Sequence, residues 1–143
     1  MTHKRIAVVV EDFPPLSEQM RTYLQAREFV VHAASDHASA VRILEQCVPH
    51  LVCLDLTLPH QSGFELCEHI RSQQRFAATS ILVTSERASP EDMAMAEEVG
   101  ANAYLKKPFT RERFLKYVTA LLDGPFASRA SVRRLCRSDP PPA

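Results

Sequence analysis

Glycine is scarce in this chain, at three of 143 residues: Gly63, Gly100 and Gly124. None completes a GxGxxG or GxxxxGK(S/T) pattern, so a glycine-rich loop cradling a nucleotide's phosphates is excluded. Long apolar runs are missing too. The longest are strand-sized, and a bilayer needs about 20 apolar residues in a row. The opening Met-Thr-His-Lys-Arg leads straight into a strand pattern, with no apolar stretch and cleavage site of the signal-peptide kind. A cytoplasmic protein without membrane insertion is therefore expected. The four cysteines, Cys47, Cys53, Cys67 and Cys136, form no CxxC pair, and Cys53 falls inside an apolar run, so neither a disulfide framework nor a zinc site is expected. The six histidines lack ligand spacing, although His60 follows closely on the most informative carboxylate, Asp55. Net charge is also lacking, at +0, but it is uneven. Residues 1–124 hold 13 Lys/Arg against 16 Asp/Glu, while residues 125–143 hold Arg129, Arg133, Arg134 and Arg137 against Asp139 alone. That basic footprint is too weak for a nucleic-acid protein. The Pro-ending segment 125–143 reads as a flexible basic tail behind one domain over residues 1–124.

What is present is a regular alternation of short apolar runs and amphipathic stretches, repeated five times. Strand patterns run from Arg5 to Val10, Val30 to Ala33, up to Asp55, Ser80 to Val83 and Ala103 to Lys106. The first helix follows Pro14-Pro15, which suit a helix start, with Leu16, Met20, Tyr23 and Leu24 on one face. The second starts near Asp36, a good N-cap, with Ala40, Val41, Leu44 and Val48 inward. The third begins near Gly63 with Leu66 and Ile70 inward. The fourth opens with Ser89-Pro90-Glu91-Asp92, a cap, a first-position proline and acidic first-turn residues, and runs to about Val99 before Gly100. The fifth opens at Thr110, buries Phe114, Val118 and Leu121, and ends at Asp123-Gly124-Pro125. Such a (βα)5 alternation implies an α/β fold with a parallel sheet, right-handed crossovers and helices on both faces. Five units suit the flavodoxin-like strand order 2-1-3-4-5.

The polar residues then fall at the carboxyl ends of the strands, where open α/β sheets place their chemistry. Glu11-Asp12 follow the first strand, Asp55 ends the third, Thr84-Ser85 the fourth, and Lys107 follows the fifth. In the flavodoxin-like order, Glu11, Asp12 and Asp55 converge in one cleft. Three adjacent carboxylates repel one another unless a cation joins them, and an all-oxygen ligand set suits Mg²⁺. A carboxylate beside a divalent ion can act as a nucleophile, with a phosphoryl group as the electrophile. Its transition state spreads negative charge over three oxygens. The cation, the Thr84 hydroxyl and the Lys107 ammonium would each take one.

These residues carry a resemblance. Val8-Val9-Val10-Glu11-Asp12, Leu54-Asp55-Leu56-Thr57-Leu58-Pro59 with Gly63 and Glu65-Leu66, Ile81-Leu82-Val83-Thr84-Ser85, Gly100-Ala101 and Tyr104-Leu105-Lys106-Lys107-Pro108-Phe109 resemble the receiver domain of two-component response regulators, over roughly residues 4–123. The resemblance is to the stand-alone, chemotaxis-regulator-like kind. It implies that Asp55 accepts a phosphoryl group from a histidine kinase or phosphotransfer protein. It further implies that Asp12 and Asp55 bind Mg²⁺ directly with the backbone carbonyl of Thr57, and that Glu11 acts through water. Lys107, directly before Pro108, would be the phosphate-binding lysine, and the Lys107–Pro108 bond would be cis. Thr84 would move toward the phosphoryl group, and Tyr104 would rotate into the space behind it. The output face would be the fourth helix, fifth strand and fifth helix, acting on a protein partner. Whether the phosphorylated form dimerises there is left open.

Other readings fare worse. The 19 residues after Gly124 are too few for an output domain, so a single-domain regulator is expected rather than an enzyme. A phosphatase of the haloacid-dehalogenase kind would want a second acid two residues after its nucleophile, where Thr57 stands. A phosphorylation-independent scaffold would not need the intact acidic site.

Overall fold

The computed structural model describes residues 4–123; the tail reading at 125–143 lies outside them. Five strands, β1 (Ile6–Val10), β2 (Val30–Ala34), β3 (Leu51–Asp55), β4 (Ser80–Ser85) and β5 (Ala103–Lys106), alternate with five helices, α1 (Pro14–Gln25), α2 (His37–Leu44), α3 (Gly63–Arg71), α4 (Pro90–Glu98) and α5 (Arg111–Leu122). A single 3-10 turn, Gln74–Phe76, links α3 to β4. Every strand pairing is parallel, and the order is β2-β1-β3-β4-β5, the flavodoxin-like arrangement expected from the alternation.

The sheet divides its apolar residues by parity. Val8, Val10, Val52, Leu54, Ile81 and Val83 face α2, α3 and α4, while Ala7, Val9, Leu51, Cys53, Leu82 and Leu105 face α1 and α5. Strands covered on both sides read as unbroken apolar runs, which is why β1, β3 and β4 stand out in the sequence. β2 lies at an edge and leaves Val30, His32 and Ala33 exposed.

Local chemistry sets the helix starts. Asp36 and Ser39 make a reciprocal capping box on α2. The hydroxyls of Ser62, Ser89 and Thr110 accept from the N–H groups of Glu65, Asp92 and Arg113 at the starts of α3, α4 and α5. Each such cap contributes about 1 kcal/mol. α2 departs from its sequence pattern at its far end. It stops at Leu44, and Val48, expected inward, is 47% exposed. Pro49 follows Val48, and a residue before proline is pushed out of the helical region. β4 runs two residues past Val83, because Thr84 and Ser85 remain paired with Asp55 and Lys106.

One polar hub was not legible in the sequence. The Arg71 guanidinium donates to the carbonyls of Gly100 (2.9 Å), Phe76 (2.9 Å) and Thr79 (2.8 Å) and to Asn102 Oδ1 (2.7 Å). Asn102 Oδ1 also accepts the Ile81 N–H at 2.7 Å. Arg71 thus ties the end of α3 to both flanks of β4. Gly100 must remain glycine here: its φ is +102°, and an added Cβ would lie 2.5 Å from Arg71 Cγ. Arg71→Ala strands several carbonyls, and a stability loss of about 3 kcal/mol is expected in urea unfolding. At the start of the sheet, Arg5 and Asp123 form a two-pronged ion pair, with Nη1 to Oδ2 at 2.9 Å.

Candidate functional site

The parallel register brings the polar strand ends to one edge. Asp55 is the last residue of β3 and stands opposite Thr84 in β4. Glu11 follows β1 and donates its backbone N–H to the Ala34 carbonyl at 3.0 Å, which holds it at the end of the sheet. Lys107 follows β5 and donates its backbone N–H to the Ser85 carbonyl at 2.8 Å. Its peptide bond to Pro108 is cis, as the resemblance implied.

Carboxylate oxygens of Glu11, Asp12 and Asp55 lie within 4.8 Å of one another. Glu11 and Asp55 are buried, while Asp12 is exposed at the mouth. The Lys107 ammonium lies 2.6 Å from Glu11 Oε1 and 3.4 Å from Asp55 Oδ2. Glu11 also accepts the Phe13 N–H at 3.1 Å, and Asp55 accepts the Thr57 N–H at 3.1 Å. Burial pushes the Asp55 carboxyl up to about 7; the Thr57 amide and the Lys107 ammonium pull against that rise, and Glu11 adds to it. Three carboxylates against one ammonium leave an excess of negative charge suited to one hard divalent cation.

The loop after β3 is tightly built. Leu56 donates to the Thr84 carbonyl (3.1 Å), Gly63 donates to the Leu56 carbonyl (2.8 Å), and Thr57 and Ser62 form an antiparallel bridge. A Cβ on Gly63 would sit 2.3 Å from the Asp55 carbonyl oxygen, so only glycine lets α3 start this close to the acid. His60 takes a left-handed backbone (φ 69°) on the exposed side of this turn and is not among the cleft-lining residues.

Thr84 is fully buried, and its hydroxyl has no hydrogen-bond partner among the described residues. An unpaired buried hydroxyl costs about 1–3 kcal/mol. Tyr104 lies inward in this structure, 4% exposed, with its hydroxyl donating to the Arg87 carbonyl. The cleft is lined by Glu11, Asp12, Asp55, Thr57 and Lys107, together with Glu86 and Arg87 from the loop after β4. Arg87 was not singled out by sequence reasoning. The available signal was a lone cation between Thr84 and the Ser89 cap, beside three acids.

The model of the response regulator receiver domain matches residues 7–119. The chain belongs to the receiver domain family. Receivers are signalling domains rather than classical enzymes, and response regulators interact with histidine kinases and downstream targets. This receiver is 35% identical over 118 residues to the transcriptional regulatory protein GltR of Pseudomonas aeruginosa, covering 82% of this chain and 49% of that protein. It is 30% identical over 118 residues to the phosphate regulon transcriptional regulatory protein PhoB of Escherichia coli, covering 82% and 52%. The chain thus spans about half the length of these curated relatives. Among solved structures it is similar to the chemotaxis response regulator CheY4 of Vibrio cholerae, with a TM-score of 0.80, 27% identity and coverage of 84% of this chain and 100% of that one. It is also similar to the receiver domain of sensor histidine kinase PA1611 of Pseudomonas aeruginosa, a structure with magnesium coordinated in its active-site cleft (TM-score 0.74, 25% identity, coverage 82% and 96%). Among the described residues, no helix is long and apolar enough to cross a membrane.

Proposed function

We propose that this receiver accepts a phosphoryl group on Asp55 from a histidine kinase or phosphotransfer protein, in a Mg²⁺-dependent step, and switches its α4–β5–α5 face to control a protein partner. The observation that carries this is the Thr84 hydroxyl: fully buried, without a hydrogen-bond partner among the described residues, and level with Asp55 in the sheet. A group in that state calls for an acceptor atom that arrives with a ligand. Asp12, Asp55 and the Thr57 carbonyl would hold the ion directly, and Glu11 would hold it through water. Bound there, Mg²⁺ would screen the carboxylates and neutralise charge on the phosphoryl oxygens.

The chain's own residues account for the rest. An Asp55 carboxylate oxygen forms the O–P bond as the donor's P–N bond breaks, and the leaving imidazole takes up a proton. Lys107, now held between Glu11 and Asp55, would pair with one phosphoryl oxygen, and Thr84 would donate to another. Moving Thr84 forward opens space on the β5 side, where Tyr104 already lies inward. The inward ring belongs to one of two states of a pre-existing equilibrium that phosphorylation would bias. Work as a cytoplasmic receiver domain over residues 1–124, signalling by protein contact, is part of the same proposal.

Intact-mass spectrometry after incubation with acetyl phosphate and Mg²⁺ tests it. One phosphoryl adduct is expected on the wild type, absent without Mg²⁺ and absent in Asp55→Asn. A folded wild type that binds Mg²⁺ yet gains no adduct would leave the scaffold reading in its place.

A further inference from the structure

Arg87 has a peculiar set of partners. Its backbone is pinned from both sides: the N–H donates to Ser85 Oγ at 3.0 Å, and the carbonyl accepts the Tyr104 hydroxyl. Its guanidinium donates from Nη2 to Asp92 Oδ1 at 2.9 Å, in the first turn of α4. The same residue lines the cleft that holds Asp55 and Lys107. One residue thus touches the strand end beside Thr84, the inward tyrosine and α4, and only its side chain can change partner without moving the backbone.

The Asp92 bond is the weak one. The Arg87 side chain is 59% exposed, and exposed ion pairs are held loosely. A phosphoryl group brings about −1.5 to −2 charges and three acceptor oxygens suited to a guanidinium fork. Asp92 would not be stranded by the exchange. Its Oδ2 accepts the Ser89 hydroxyl at 2.9 Å, and it stays at a helix N-terminus, where a carboxylate is favoured. α4 itself is lightly anchored: Ala96 is its one buried residue, and Met95 is exposed.

We propose that Arg87 couples the acceptor site to α4 by exchanging partners, leaving Asp92 for the phosphoryl group on Asp55 and so freeing the first turn of α4. This rests on the acceptor reading above. Arg87 is a positioning residue for the output helix rather than a group needed for phosphoryl transfer.

The test combines intact mass, which reports the adduct, with hydrogen exchange of the α4 amides, using acetyl phosphate and Mg²⁺ on the full chain. In the wild type, α4 exchange should rise at least about threefold on phosphorylation. Arg87→Met and Asp92→Asn should both show the raised exchange before any phosphoryl group is added, and Asp92→Asn, which lies outside the cleft lining, should still form the adduct. Arg87→Met should then give no further rise, while Arg87→Lys should keep part of the response. An Arg87→Met protein that carries the adduct and responds in α4 like the wild type would overturn the exchange, as would a phosphorylated wild type with unchanged α4. Absence of the adduct from the wild type would instead overturn the acceptor reading, and this proposal with it.

Discussion

Replacing Asp55 with Asn should stabilise the metal-free protein at pH 8 by about 3 kcal/mol. Burial raises the Asp55 carboxyl to about 7 in the folded protein. In the unfolded chain it titrates near the ordinary value, about 4. Between those two values the folded state binds the extra proton, so its stability falls as pH rises through the window and levels off above it. The separation corresponds to about 4 kcal/mol; because Asp55 lines an open cleft where water screens its charge, a somewhat smaller effect is expected. Asn keeps the shape and carries no charge, so the difference between variant and wild type should be near zero at pH 4 and grow to its full size by about pH 8. Urea unfolding in the presence of a chelator measures it. Saturating Mg²⁺ should close much of the gap by stabilising the wild type alone, by about 2.7 kcal/mol at a hundred times the dissociation constant. Equal stability of the two proteins at pH 8 without metal would show that the cluster does not strain the fold.

The second large effect is expected from Lys107→Met. The ammonium is the cation beside both buried acids, at 2.6 Å from Glu11 and 3.4 Å from Asp55. Removing one partner of a buried pair costs about 3–5 kcal/mol, because the charge left behind has no counter-ion. Metal-free Lys107→Met should therefore be destabilised by about 3 kcal/mol at pH 8 and largely rescued by Mg²⁺. If Lys107 also takes a phosphoryl oxygen, the rate of adduct formation should fall about 10²-fold even with Mg²⁺ saturating, the loss typical of one fixed charge-stabilising group. Rescue of stability without rescue of rate separates the two roles. A wild-type rate would remove Lys107 from the chemistry and leave it a structural cation.

The two predictions share a physical cause. The acids at the strand ends oppose folding in the absence of a cation, and the apolar core beneath them supplies the stability they cost. Proteins commonly concentrate such conflict where they act.

Most of the architecture was legible because it depends on local and periodic signals. Both faces of the central strands are covered, so β1, β3 and β4 appear as plain apolar runs; Glu11 and Asp55, which break the first two, reach the cleft, while Thr84, which breaks the third, is buried level with Asp55. The caps at Asp36, Ser89 and Thr110 could be read from single side chains, because a cap requires only a hydroxyl or carboxylate next to a helical pattern. Val48 misled because it fits the spacing of α2, and the pattern does not weigh the proline behind it. Arg71 and Asn102 were invisible for another reason. They are 31 residues apart, and their importance lies in backbone carbonyls that only the fold brings together. Arg87 escaped in part for the same reason: Ser85 and Asp92 are local in the chain, but Tyr104 reaches the Arg87 carbonyl only once β4 and β5 are paired. The inward position of Tyr104 was beyond sequence reasoning, because a strand pattern does not fix a side-chain rotamer.

The Arg5–Asp123 pair has a consequence for handling the molecule. It joins the first strand to the end of the last helix, at the pole of the sheet away from the strand ends that carry Asp55 and Lys107. Residues 5 and 123 are close enough for a short peptide to link them, so the domain suits circular permutation. New ends could be opened on the same distant pole, at the turn around residues 45–49 that precedes β3. A fluorescent reporter placed there would leave the acidic cleft accessible to a donor protein.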